Sequence, residues 1–254
     1  MTTWERARLS FTPEKMAWYR RFPYSNYLLK PLSMPLICLA WEAGLTANAV
    51  TLLSALCGGA ACVLLADGSR AAGAALLIGF NILDGIDGSL ARMGRSCGTP
   101  GKFLDGTATA VYWFSYLALG LGLARRPDAF SAGHPVWAGS NTLLACGGLA
   151  SAGRFASAWI AGSFWSNLGD AWQASPAKTQ PAPGTPVTES WPYNVYLNIV
   201  MLEAHDFVLL ACVFAGLASA FLLASTAIVT LHLLVNYAVY VRRALSLSDA
   251  PARP

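Results

Sequence analysis

Between Asp206 and Arg242 the chain carries no Asp, Glu, Lys or Arg, and the same is true between Glu42 and Asp67. Runs of this kind have few places to go. A helix rises about 1.5 Å per residue, so about 20 apolar residues cross the hydrocarbon core of a bilayer. In that core every backbone N–H and C=O must be satisfied inside the protein, and a helix does this within one segment. The remainder of the 254 residues is similar: 55% are hydrophobic and 12% charged, against roughly 25% charged in soluble domains. Too little charge is present to keep the chain disordered or to grip nucleic acid, so no nucleic-acid partner is expected. The expectation is an all-α, polytopic integral membrane protein of about six transmembrane helices, with the lipid bilayer as its surroundings.

Spans fall at about 47–66, 71–92, 101–124, 135–162, 206–221 and 223–242. Thr46 is placed to cap the first, and Asp67 to Arg70 make a short polar turn after it. A turn near Ala220 to Ser225 divides the last two. Residues 1–46 form an N-terminal and interfacial segment, because Pro31 and Pro35 argue against a straight spanning helix over 24–43. Residues 47–245 make one six-helix membrane domain with a long loop at 163–202, rich in Pro and Trp and irregular in its middle, and a short surface helix at 193–203. Residues 246–254 are a tail. The tryptophans between 159 and 191 suit an interfacial belt. Cys38, Cys57, Cys62, Cys97, Cys146 and Cys212 form no CxxC pair, and are read as small apolar residues and not as a disulfide framework or zinc site. The first 22 residues lack the apolar region of a cleavable signal peptide.

Six spans place both termini on one side. There fall Arg6, Arg8, Lys15, Arg20, Arg21, Lys30, Arg92, Arg95, Lys102, Arg154, Lys178, Arg242, Arg243 and Arg253, while Arg70, Arg125 and Arg126 fall on the other. Positive charge favours the cytoplasm, so both termini and the 93–100 loop are expected there.

Asp84 and Asp87 sit at the inner end of an apolar helix, three residues apart and so on one face. Asp105 lies near the start of the next helix. An ionised Asp within a span costs about 2.5–3.5 kcal/mol even on a lenient scale, so three so close together need strong compensation. Divalent cations such as Mg²⁺ and Mn²⁺ supply it through hard carboxylate oxygens, and Mg²⁺ commonly binds together with phosphates. Gly85, Gly88 and Gly101 would let helices or a ligand approach the backbone. The competing reading puts the three Asp in the headgroup region, capping helices or pairing with Arg92 and Arg95.

Asp84, Asp87, Gly88, Ala91, Arg92, Gly101 and Asp105 occupy the first seven fixed positions of D-x2-D-G-x2-A-R-x8-G-x3-D-x3-D. By this stretch the chain resembles the CDP-alcohol phosphotransferase (CDP-alcohol phosphatidyltransferase) family. Upstream, GLTANAVTLL resembles the start of that family's first span, with Asn48 and Thr51 in place and Ala47 where Pro is common. The likeness is strong over the motif and general in the six-helix layout, and the long loop and C-terminal third match only in hydropathy. It implies cleavage of a CDP-linked lipid or alcohol between its phosphates, transfer of the phosphoryl-linked group to an acceptor hydroxyl, and release of CMP. It also implies two divalent metals, Mg²⁺ or Mn²⁺, on Asp84, Asp87 and Asp105 at the cytoplasmic face, with Asn48, Thr51, Gly88, Ala91, Arg92 and Gly101 at the nucleotide and diphosphate. A homodimer is the association that the resemblance suggests. Arg92 is able to fork two phosphate oxygens.

One position departs. The family's fourth Asp, its metal ligand and general base, falls at Thr109, and a Thr hydroxyl is no base at neutral pH. Glu203, His205 and Asp206 are candidates to replace it, or else interfacial groups where a helix enters the membrane. Arg154, charged inside a span, is expected in a watery cavity with an anion partner and is assigned to the acceptor or diphosphate, the alternatives being an Asp partner or snorkelling to the surface. His134 and His232 are read as structural. Two further functions stay open: metal-assisted loss of pyrophosphate from a prenyl diphosphate in a pocket lined by Phe103, Tyr112, Trp113, Phe114 and Tyr116, which needs no base, and a non-catalytic homologue.

Overall fold

The computed structural model describes residues 1–95, 98–134, 138–174, 195, 198–199 and 205–248, and among these no strand occurs. The N-terminal part holds α1 (Thr3–Leu9), α2 (Pro13–Arg21), a π-helical turn (Ser25–Leu29) and α3 (Lys30–Glu42). Thr2 and Glu5 form a capping box on α1, and the Thr12 side chain caps α2. Pro35 lies within α3. Ile37 and Ala40 of α3 pack with Ile86 and Leu90 in one buried cluster, and Arg95 stacks over Trp41 at 4.1 Å. The N-terminal helices are thereby docked on the membrane domain.

That domain begins at α4 (Ala47–Asp67), where Thr46 accepts from the Ala49 amide at 3.2 Å. α4 ends at Gly68, whose φ of 92° is the left-handed cap that glycine takes most easily. There follow α5 (Arg70–Arg92), α6 (Thr99–Trp113), α7 (Ser115–Arg125), the short α8 (Ala129–Gly133), α9 (Ser140–Ala174), α10 (His205–Phe214) and α11 (Ala218–Ser248). Among the described residues, five helical stretches are long and apolar enough to cross a membrane: Ala47–Asp67, Arg70–Arg92, Pro100–Arg125, Ser140–Ala171 and Ala218–Leu247. The protein is an all-α polytopic membrane protein, as its apolar runs imply. The sixth helix is different: α10 has 10 described residues, roughly 15 Å of rise and half a bilayer core.

Two boundaries need correction. The turn between the last helices is at Ala215–Leu217, around Gly216 with φ 69°, and not at Ala220–Ser225. Ser225 and Thr226 do not break α11, because the Ser225 hydroxyl meets His205 at 2.7 Å and the Thr226 hydroxyl donates to Leu222 O. The fourth span also does not end at 162. α9 continues to Ala174, into what the Pro content marked as loop. The rest of that loop, including Lys178 and most of the 193–203 helix, lies outside the described residues.

The core is apolar and tightly drawn. Leu65, Leu77, Leu119, Leu123, Leu143 and Leu222 are almost fully buried in one cluster. α7 and α9 touch through Gly120 and Gly147, where a Cβ on Gly120 would lie 2.6 Å from Leu143 O, a small-residue helix contact. The two ends of the bundle differ in charge. Asp67, Arg70, Arg126 and Asp128 gather at one end, with Arg70 donating to Arg126 O at 3.0 Å. The α5–α6 loop and the N-terminal helices lie at the other. α9 and α11 run parallel from the first end to the second, pairing Thr226 with Cys146 and Phe164 with Tyr240, so Arg242 and Arg243 return to the end that holds Arg92. Arg154 does not belong to that end. It lies midway along α9, hydrogen-bonded to Tyr116.

Asp128 ties two helices with one carboxylate. It accepts from the Ser131 amide in α8 at 2.9 Å and from the Ser219 amide at the start of α11 at 2.7 Å. Burial works to raise its pKa, but the hydrogen bonds from Ser131 and Ser219 outweigh it and hold the carboxyl below its ordinary value. A depressed carboxylate stabilises above its unfolded pKa of about 3.9, and that contribution is lost as pH falls through the folded value. Asp128→Ala should therefore cost about 1–2 kcal/mol at neutral pH and less near pH 3, measured by thermal unfolding in detergent.

Candidate active site

Asp84 and Asp87 stand on the last turns of α5, and Asp105 on the second turn of α6. One oxygen from each lies within 4.8 Å of the others. Asp87 is buried, Asp84 half-buried and Asp105 exposed, so the cluster opens outward on the α6 side. Each is positioned by its helix. Thr51 of α4 donates its hydroxyl to Asp87 Oδ2 at 2.5 Å. The Ala47 amide donates to Arg95 O at 3.1 Å, which pins the start of α4 beside the α5–α6 loop. Gly101 opens α6 against Asn48, and a Cβ there would sit 2.8 Å from Asn48 Oδ1. Asn48, Thr51 and Gly101 are thus the contacts by which α4, α5 and α6 converge.

Arg92 donates Nε to Ser10 O at 2.7 Å and Nη2 to Ser89 Oγ at 3.2 Å, and Arg95 lies over Trp41. Three convergent carboxylates in an apolar bundle form a donor set of hard oxygens, which suits a divalent cation of the Mg²⁺ class.

A cavity of about 140 Å³ adjoins the cluster, lined by Asp84, Gly85, Gly88 and Arg92 from α5 and by Lys15, Tyr19, Ser25 and Leu29 from the N-terminal helices. Asn81, one turn before Asp84, lines it too. Gly88 faces the Arg92 guanidinium, with Nη1 3.3 Å from where a Cβ would be. Ala91 is half-buried against the α3 cluster. The N-terminal wall and Asn81 were not found from sequence, because no fixed spacing links Lys15 to Asp84 and Asn81 lies outside the motif.

Among the described residues, neither His205 nor Asp206 joins the carboxylate cluster. Asp206 is 1% exposed and accepts from Asn81 and from the Tyr112 hydroxyl. His205 uses both ring nitrogens, toward Tyr116 at 2.9 Å and Ser225 at 2.7 Å. Glu203 lies outside the described residues. Thr109 is half-buried one turn after Asp105, on the same face. Arg154 joins the His205 group through a hydrogen bond with Tyr116. His134 packs on Phe130 and His232 meets Asn236 at 2.9 Å, both structural contacts. Of the five aromatics read as a prenyl pocket, Tyr112 stacks on Phe80, Trp113 and Phe114 pack on Phe155, Tyr116 packs on His205, and Phe103 is exposed.

Residues 44–154 match the family model described as CDP-alcohol phosphatidyltransferase. This stretch runs from just before α4 into the middle of α9 and holds every residue of the motif, in line with the resemblance that the motif carries. No curated protein matches the chain.

Proposed function

We propose that the protein is a membrane-embedded, divalent-metal-dependent transferase that moves a phosphoryl-linked group from a CDP-activated donor to an alcohol, with release of CMP. The observation that carries this reading is the convergence of Asp84, Asp87 and Asp105 within 4.8 Å, on elements of the family domain. Asp84, Asp87 and Asp105 would hold Mg²⁺ or Mn²⁺, two ions by family resemblance, and the metal would offset charge gathering on the leaving phosphate. The acceptor oxygen attacks the phosphorus farther from cytidine, the bond from that phosphorus to the bridging oxygen breaks, and CMP leaves with the bridging oxygen. We assign the hydroxyl proton to Asp105, the exposed carboxylate of the three and the one nearest Thr109. Thr51 holds Asp87 in place, and Gly101 lets the Asn48 side chain pack against the start of α6.

The reading is tested by supplying purified protein with CDP-linked lipids or with prenyl diphosphates, with and without a chelator. Metal-dependent CMP from a CDP-lipid is the expected product. Pyrophosphate from a prenyl diphosphate, with no CMP from any CDP-lipid, would replace this reading by the ionising one.

We place the site at the cytoplasmic face, because the end that holds Arg92 and Arg95 also receives the basic N-terminal helices, Arg242 and Arg243. A reporter fused after Arg243 should lie in the cytoplasm and one inserted at Asp128 outside. Cytoplasmic labelling at Asp128 would reverse the orientation.

A further inference from the structure

The cavity beside the carboxylates has one wall that the family motif does not supply. α2 and the π-helical turn bring Lys15, Tyr19, Ser25 and Leu29 against Asp84, Gly85 and Gly88. Lys15 is half-buried there, lies 5.1 Å over the Tyr19 ring, and acts electrostatically on Asp84. The motif arginine is placed differently. Its Nε and Nη2 are given to Ser10 O and Ser89 Oγ, so part of its fork serves to tether the N-terminal helices to α5.

We propose that Lys15 is a substrate-binding residue, contributed by the N-terminal helices, whose ammonium contacts a phosphate oxygen of the CDP-linked donor; this rests on the transferase reading above. Three observations lead to it. The cavity is polar on both walls and, at about 140 Å³, holds a few waters' worth of volume, the scale of a phosphoryl group and not of a nucleoside. Lys15 faces a carboxylate that a divalent cation would also claim, and an ammonium displaced from Asp84 finds its next anion in a phosphate entering the same cavity. Gly85 and Gly88 present backbone without side chains to that space, and no atom stands within 4 Å of where a Cβ on Gly85 would be. Lys suits the task as a compact point charge on a flexible stem, and its ammonium lies over the Tyr19 ring.

The Lys15 contact has a second consequence. The N-terminal helices would close one side of the substrate site, so their docking through Arg95 over Trp41 and Arg92 on Ser10 would also set substrate affinity.

The test titrates CDP, in the presence of Mn²⁺, into the full-length protein in detergent, comparing wild type with Lys15→Gln and Lys15→Arg. Manganese binding without nucleotide is followed by its EPR signal, and thermal unfolding reports the fold. Lys15→Gln should weaken CDP binding about 10- to 100-fold, as for a lost hydrogen bond to a charged group. Lys15→Arg should restore most of it; manganese binding by Lys15→Gln should hold or tighten, since no ammonium then competes for Asp84, and unfolding should stay within error of wild type. Equal CDP affinity in wild type and Lys15→Gln overturns the proposal while leaving the transferase reading intact. A parallel loss of manganese binding or of fold in Lys15→Gln, with no rescue by Arg, overturns it in favour of a structural lysine. Wild-type protein that binds manganese but no CDP overturns the transferase reading, and this proposal with it.

Discussion

Changing Asp84, Asp87 or Asp105 singly to Asn should lower CMP release roughly 10³-fold or more, beyond the 10- to 100-fold typical of changes to groups behind the ligands. Asn is nearly isosteric with Asp and keeps an acceptor, so the Thr51 hydroxyl can still donate at position 87. What Asn removes is the charge. In metal-free protein that removal should stabilise the fold or leave it unchanged, because three carboxylates within 4.8 Å repel one another at the membrane. The two readouts should therefore separate: activity falls while the metal-free unfolding temperature holds or rises. Mg²⁺ or Mn²⁺ should stabilise wild type, by about 2.7 kcal/mol at 100 times its Kd, and should stabilise each Asn variant far less. A structural cluster gives the opposite result, with unfolding temperatures that drop and no metal response in wild type. Near wild-type activity in all three variants would show that the carboxylates take no part in the chemistry.

Much of this arrangement is legible in the residues themselves. Charge-free runs mark α4 and α11, and Thr46 and Gly68 punctuate α4 as capping rules say. The Asp84–Asp87 spacing puts two carboxylates on one face, and the spacing to Asp105 places the third opposite them once the α5–α6 loop has turned. Other features depend on tertiary packing that no local pattern encodes. α9 continues past 162 because polar and aromatic residues sustain a helix as well as a loop, and Trp165 and Asp170 carry no stop signal. The first described turn of α10 is polar and buried: His205 and Asp206 resemble an interfacial pair in sequence, yet Tyr112, Tyr116, Asn81 and Ser225 satisfy them inside the bundle. These partners come from four other helices. The N-terminal wall was hidden for the same reason, since Lys15 reaches Asp84 only after α3 has docked on α5.

The position that departs from the motif offers the sharpest change of function. Thr109 follows Asp105 by one turn of α6, so Thr109→Asp would set a fourth carboxylate on the face that carries the third. With Asp105 both holding metal and accepting the proton, each role limits the other, because a carboxylate neutralised by a cation is a weaker base. A second carboxylate separates the roles. Thr109→Asp should raise the rate of CMP release, by up to roughly 10²-fold at the lower end of the general-base range, and reduce the Mg²⁺ concentration needed for half-maximal rate. The rise should show in kcat more than in KM for the donor, since a base acts on the acceptor proton in the transition state. Thr109→Asn controls for size and polarity and should give no gain. Asp206 is the other carboxylate near α6, but its contacts to Tyr112 and Asn81 keep it in the interior, so Asp206→Asn should not abolish a gain made at 109. A Thr109→Asp protein that binds metal more tightly yet turns over no faster would show that proton removal does not limit the wild-type reaction. That result would leave Asp105 as a metal ligand alone.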